Sequence, residues 1–195
     1  MFKRFLAEHS FDEYKLDTKM FPTVSDREFW ESFAEGGYVA RAEKFIDYNW
    51  PITPASEIME FVRSGSRRSE QPGFERRDRL LTFALAELVE NKGRFLPQLV
   101  NGLLAICEET SWACCAHWED EIPHNFHDVR KPYIDLRAGE TAEKLALIIT
   151  LLREPLEEYC PEIIERVKYE LEVRISEPYL THTNYWWMGY GERVP

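Results

Sequence analysis

In residues 77–90, Leu80, Leu81, Ala84 and Leu88 recur three and four positions apart, the spacing that puts side chains on one face of an α-helix. The rhythm returns in residues 95–108, where Leu99, Leu103, Ile106 and Cys107 share a face. Only Asn91-Lys92-Gly93 and its neighbour part the two runs, and Asn and Gly accept the left-handed conformation that ends helices. Two apolar faces joined so tightly must fold back on each other as an antiparallel hairpin. A second pair follows. Residues 140–158 carry Leu145, Ile148, Ile149 and Leu152 inward, with Pro155 expected to kink or end that helix. Cys160-Pro161 opens another, in which Ile163, Ile164, Val167, Leu171 and Ile175 keep helical spacing up to Glu177-Pro178.

Upstream, Ser25 reads as a helix cap with Glu28 three residues on, and Phe29, Trp30 and Phe33 mark one face before Gly36-Gly37 stops the run. Residues 39–48 predict a second helix bearing Val39, Ala42, Phe45 and Ile46, broken at Asn49-Trp50-Pro51 because the residue before proline is pushed out of the α region. Residues 64–73, with Arg67, Arg68, Gln71 and Pro72, read as a loop. No alternating pattern of strand length is present; Tyr133-Ile134-Asp135-Leu136 fits a short strand or an extended loop equally well. The fold class is therefore all-α, a single helical domain over residues 1–195. Its hairpins can stack as a bundle, a solenoid or a closed toroid, and they do not match each other well enough to be repeats.

Composition narrows the function. With 195 residues, 44% of them hydrophobic, the chain is neither disordered nor too small for a core. A net charge of −11 argues against a nucleic-acid surface. No apolar run nears the roughly 18 residues of a membrane helix. Met1-Phe2-Lys3-Arg4 is not followed by the apolar run of a secretory signal. Cys107, Cys114, Cys115 and Cys160 form no Cys-x-x-Cys pair, so they read as reduced, mostly buried thiols of a cytoplasmic protein.

Residues 108–127 are the densest in chemistry. His117, His124 and His127 with Cys114 or Cys115 are zinc-type donors, but their spacing follows no zinc signature, and no metal is expected. Glu108 and Glu109 point about 100° apart on a helix and cannot by themselves face each other across a sugar. Trp112, Trp118, Tyr185, Trp186 and Trp187 offer flat faces that can stack on sugar rings or pack a core. Arg63, Arg67, Arg68, Arg76, Arg77 and Arg79 form either a local attraction for an acidic ligand or a solvated loop and helix start.

Three stretches resemble the helical N-terminal part of the heparinase II/III-like proteins. Glu108-Glu109-Thr110-Ser111-Trp112 with Ala116-His117 resembles that family's Trp-x-x-Pro-x-His segment, with Cys115 where Pro is frequent. Ile134-Asp135-Leu136-Arg137-Ala138-Gly139-Glu140-Thr141-Ala142 is similar to its Asp-Leu…Glu-Thr-Ala run into a long helix. Glu172-Val173-Arg174-Ile175, Pro178-Tyr179-Leu180 and Tyr185-Trp186-Trp187-Met188-Gly189 form the third. The resemblance spans about residues 75–195. It implies helical hairpins forming part of an incomplete (α/α) toroid, followed by a β-sandwich domain. It also implies a polysaccharide lyase that cleaves uronic-acid-containing glycans by β-elimination. A base takes the C5 proton, neighbouring groups stabilise the carbanion, and an acid helps the glycosidic oxygen leave. Tyr and His usually serve there.

By the same resemblance, His117 is the catalytic candidate, touching substrate first and moving protons second. Glu109, Trp112, Trp118, Tyr185, Trp186 and Trp187 are the substrate-binding set, with Glu109 orienting His117 or a sugar hydroxyl. No cofactor is implied, and the partner is an acidic oligosaccharide or polysaccharide, not nucleic acid or membrane. In the family an Asn-rich motif follows the Trp-Trp-x-Gly region, whereas this sequence stops at Pro195, so the chain is expected to lack lyase activity alone. The competing readings are a glycoside hydrolase on a similar toroid and a non-enzymatic helical scaffold.

Overall fold

The computed structural model describes Glu8, residues 21–117 and 126–181, Tyr185 and Trp187. Every regular element among the described residues is helical. These are α1 (Arg27–Glu31), α2 (Tyr38–Glu43), α3 (Ala55–Ser64), α4 (Gln71–Glu90), α5 (Leu96–Cys107), α6 (Leu136–Leu151), α7 (Arg153–Tyr159), α8 (Pro161–Leu171) and α9 (Glu177–Thr181). None is long and apolar enough to cross a membrane.

The expected hairpins form. Helix α4 lies along α5, and α8 packs on α5, α6 and α7. Between α4 and α5 the chain turns through Asn91 (φ 51°) and Gly93 (φ 75°). The turn is also tied by a side chain that periodicity does not reveal. Glu87 is fully buried; its Oε1 accepts from Gly93 N at 2.6 Å and its Oε2 from Phe95 N at 3.1 Å. One apolar cluster then joins Leu80 and Phe83 of α4, Leu99 and Leu103 of α5, Leu145 of α6, Leu156 of α7 and Val167 of α8. Helices α1 and α2 cover another side of α4.

Several boundaries differ from the sequence reading, each for a physical reason. Ser25 does not cap α1: its hydroxyl donates to Glu154, and Asp26 at the cap accepts instead from Thr23 N at 2.7 Å. The helix expected over 39–48 ends at Glu43 and continues only as turns. Helix α3 was not expected at all. Residues 64–73 are only briefly a loop, because α4 starts at Gln71 with Pro72 in its first turn, where the missing N–H is no loss. Helix α6 starts at Leu136, earlier than expected, since Asp135 caps it by accepting from Ala138 N at 2.8 Å. The break before α7 falls at Leu152 rather than at Pro155. The last helix does not stop at Pro178. Residues Glu172–Ser176 widen into a π-turn, which absorbs the donor and space that proline denies its preceding turn, and α9 continues beyond.

Segment 46–50 is locked onto α5 by one glycine and one glutamine. Gln98 Nε2 donates to the carbonyls of Ile46 (2.7 Å) and Tyr48 (3.2 Å), and its Oε1 accepts from Trp50 Nε1 at 2.8 Å. The indole of Trp50 then lies on Gly102, where a Cβ would sit 2.6 Å from Cζ2. Gly102→Ala is therefore expected to push the ring off α5 and cost about 1–3 kcal/mol, read as a lowered urea midpoint with unchanged slope.

Candidate functional site

Three stretches far apart in sequence meet beyond the C-terminal end of α5. The first, residues 108–117, is anchored by Glu109. This carboxylate is buried between two arginines of α4: Arg76 Nε lies 2.7 Å from Oε1, and Arg77 lies 2.9 Å from Oε1 and 2.8 Å from Oε2. Arg77 Nε also donates to Thr141 Oγ1 of α6 at 2.6 Å, and Arg76 donates to the Pro51 carbonyl. Burial alone would raise the Glu109 pKa, but the charges of Arg77 and Arg76 outweigh it and hold the carboxyl below its ordinary range. Arg76 and Arg77 are thus neither a solvated helix start nor a free basic patch. Beside them Arg137, also buried, packs over Phe74, and Gly73 leaves the space its guanidinium occupies.

Asp135 organises the second stretch. Besides capping α6, its Oδ2 accepts from Cys114 N at 2.9 Å and lies 2.6 Å from His117 Nδ1. The Nδ1–H tautomer makes this a hydrogen bond donated to the carboxylate and leaves Nε2 for other partners. His117 keeps 45% of its side chain exposed. Its carboxylate partner is thus Asp135, whereas Glu109 is committed to the arginines. Asp135 had a sequence signal: an Asp immediately before an apolar helical run is a cap.

The third stretch closes back on the first two. Arg174 in the π-turn donates to the Cys107 carbonyl at 3.1 Å, pairs with buried Glu170 at 2.5 Å and lays its guanidinium over the Trp112 ring at 5.1 Å. Trp112 itself is 2% exposed, with Nε1 donating to the Ile106 carbonyl at 2.9 Å. Tyr185 donates to Pro132 O at 3.0 Å and Trp187 Nε1 to Ile134 O at 2.8 Å. Those two rings stack at 5.6 Å with 4° between their planes, and Trp187 stays 40% exposed. Trp118 and Trp186 lie outside the described residues, as does His124.

Two hollows flank Thr110-Ser111. One, of about 270 Å³, lies among Trp50, Thr53, Ser69, Arg76, Glu109 and Arg137. The other, of about 460 Å³, is walled by Thr110, Ser111 and Trp112, by Tyr133 and Ala138, by Val173, Arg174, Ile175 and Pro178, and by Arg130 at its rim. That volume falls within the roughly 300–1,000 Å³ of small-molecule sites. Its wall draws on all three stretches. His117 lines neither hollow.

The cysteines are free thiols. Burial pushes Cys107 up to about 12, and burial with a hydrogen bond to Glu70 does the same for Cys115. Neither is a thiolate nucleophile at neutral pH. Burial, reinforced by Glu70, also raises Cys114.

No protein family's sequence profile matches this chain, and no curated protein matches it in sequence.

Proposed function

We propose that this chain is the helical, substrate-binding part of a heparinase II/III-like polysaccharide lyase, an incomplete (α/α) toroid that holds a uronate-bearing glycan. What supports the reading is one observation: the three stretches that carry the resemblance wall the same 460 Å³ hollow. The chemistry of that wall suits a charged sugar. Tyr133, Tyr169 and Trp112 supply apolar and aromatic surface, Thr110, Ser111 and Thr181 supply hydroxyls, and Arg130 and Arg174 supply cations beside the acids Glu170, which Arg174 pairs, and Glu177. Arg130 is the adaptable one. It is exposed at the rim and, among the described residues, held by Asp128, at 2.8 Å and 2.9 Å, so it can turn its fork to a uronate carboxylate. Trp187, stacked on Tyr185 and 40% exposed, offers a further aromatic face.

In this reading the chain binds the glycan, and the resemblance puts the later catalytic Tyr and His after the Trp-Trp-x-Gly region. The protein would meet imported oligosaccharide in the cytoplasm. His117, the catalytic candidate of the resemblance, lies outside the lining of the hollow.

Tryptophan fluorescence tests it. A uronate tetrasaccharide is expected to change the emission saturably, and Arg130→Gln to weaken the affinity about tenfold, as for loss of one charge-assisted hydrogen bond. Incubation with the polymer should give no unsaturated uronate chromophore. An emission indifferent to the sugar would favour the scaffold reading, which the deep burial of Trp112 supports.

A further inference from the structure

The function proposed above leaves one cluster unused. Cys114 Sγ, a ring nitrogen of His117 and an oxygen of Asp135 all lie within 4.8 Å of one another. We propose that these three side chains form a binding site for a thiophilic divalent metal of the zinc class, with the fourth position open to solvent. The donor set decides the metal: a thiolate and an imidazole are ligands for zinc or cobalt, not for magnesium or calcium, which want oxygen.

The geometry is close to what such an ion needs. Bonds of about 2.0–2.3 Å in a tetrahedron set donors roughly 3.3–3.8 Å apart. The 2.6 Å contact between His117 Nδ1 and Asp135 Oδ2 is tighter than that, and a half-exposed ring can give up its bridging proton and swing outward to admit an ion. Asp135 is already oriented. Its Oδ1 accepts from Ala138 N at 2.8 Å and its Oδ2 from Cys114 N at 2.9 Å, which leaves a lone pair of Oδ2 for the ion. Hydrogen bonds of this kind are how proteins hold a ligating carboxylate. Cys114 is buried while His117 reaches solvent, so the site has a protein-facing wall and an approach path. One thiolate and one carboxylate also balance the dication, leaving no net charge against buried Arg137.

Cobalt(II) is the probe, because its thiolate complexes absorb and its tetrahedral complexes show intense visible bands. Titrating the whole chain with cobalt(II) is expected to give one equivalent of a sulfur-to-cobalt charge-transfer band, bleached by zinc. Cys114→Ser should abolish that band, and His117→Ala should weaken cobalt binding at least tenfold. Cys160→Ser should leave the spectrum unchanged, and His117→Ala, at a half-exposed position, should keep the wild-type unfolding midpoint. Absence of the band in the wild type, or its survival in Cys114→Ser, overturns the proposal. The readout does not involve sugar, so failure here leaves the glycan reading untouched, and the reverse holds too.

Discussion

Glu109→Ala is expected to lower the unfolding free energy by about 3–5 kcal/mol, the cost of breaking a buried ion pair from one side. The alanine would strand Arg76 and Arg77, both buried, with no carboxylate between them and with Arg137 close by. It would also uncouple α4 from the 108–117 segment, since Glu109 is what both arginines hold. Glu109→Gln keeps one acceptor oxygen and should cost less. Chemical denaturation monitored by circular dichroism measures both. The same carboxyl sets an acid limit. Its folded pKa lies below the ordinary 4.5, so the native state binds its proton less readily than the unfolded chain does. Its contribution is therefore complete above about pH 4.5 and is lost as pH falls through the folded value. The wild type should lose stability in that acid range more steeply than Glu109→Gln does.

Glu87→Ala should be nearly as damaging, at about 2–5 kcal/mol. It would leave two inward-facing backbone donors, Gly93 N and Phe95 N, without the acceptors they now use, and each such orphan costs about 1–3 kcal/mol. The effect should be local as well as global. Amide exchange at Gly93 and Phe95 should accelerate more than exchange along α8. Glu87→Gln, which retains one carbonyl oxygen, should recover part of the loss. Near-wild-type stability of the alanine variant would mean that Asn91 and Gly93 fix the hairpin turn unaided.

These two carboxyl groups also mark where the amino-acid pattern stops being informative. Leu80, Ala84 and Leu88, and Leu99 and Leu103 opposite them, were legible because burial of apolar faces is what periodicity encodes. Glu87, Arg76, Arg77 and Glu109 are buried too, but only as partners, and a polar letter does not announce a partner 32 residues away. The start of α4 was missed for a related reason: Gln71, Pro72 and Gly73 look like loop residues until Pro72 is set in a first turn and Gly73 against Arg137. At the site, the aromatics were visible but their burial was not, so Trp112 and Trp187 looked alike. The link between His117 and Asp135 crosses 18 residues and arises only when the cap of α6 meets the 115–117 turn.

If, as proposed, the hollow beneath Arg130 and Arg174 holds a glycan, it recognises the sugar by its carboxylates. Calorimetric titration with a uronate tetrasaccharide and with the same sugar after carboxyl reduction tests it most directly. Binding of the uronate, with the reduced sugar at least tenfold weaker, is the predicted result. Equal binding of the two, or binding of neither, contradicts the account.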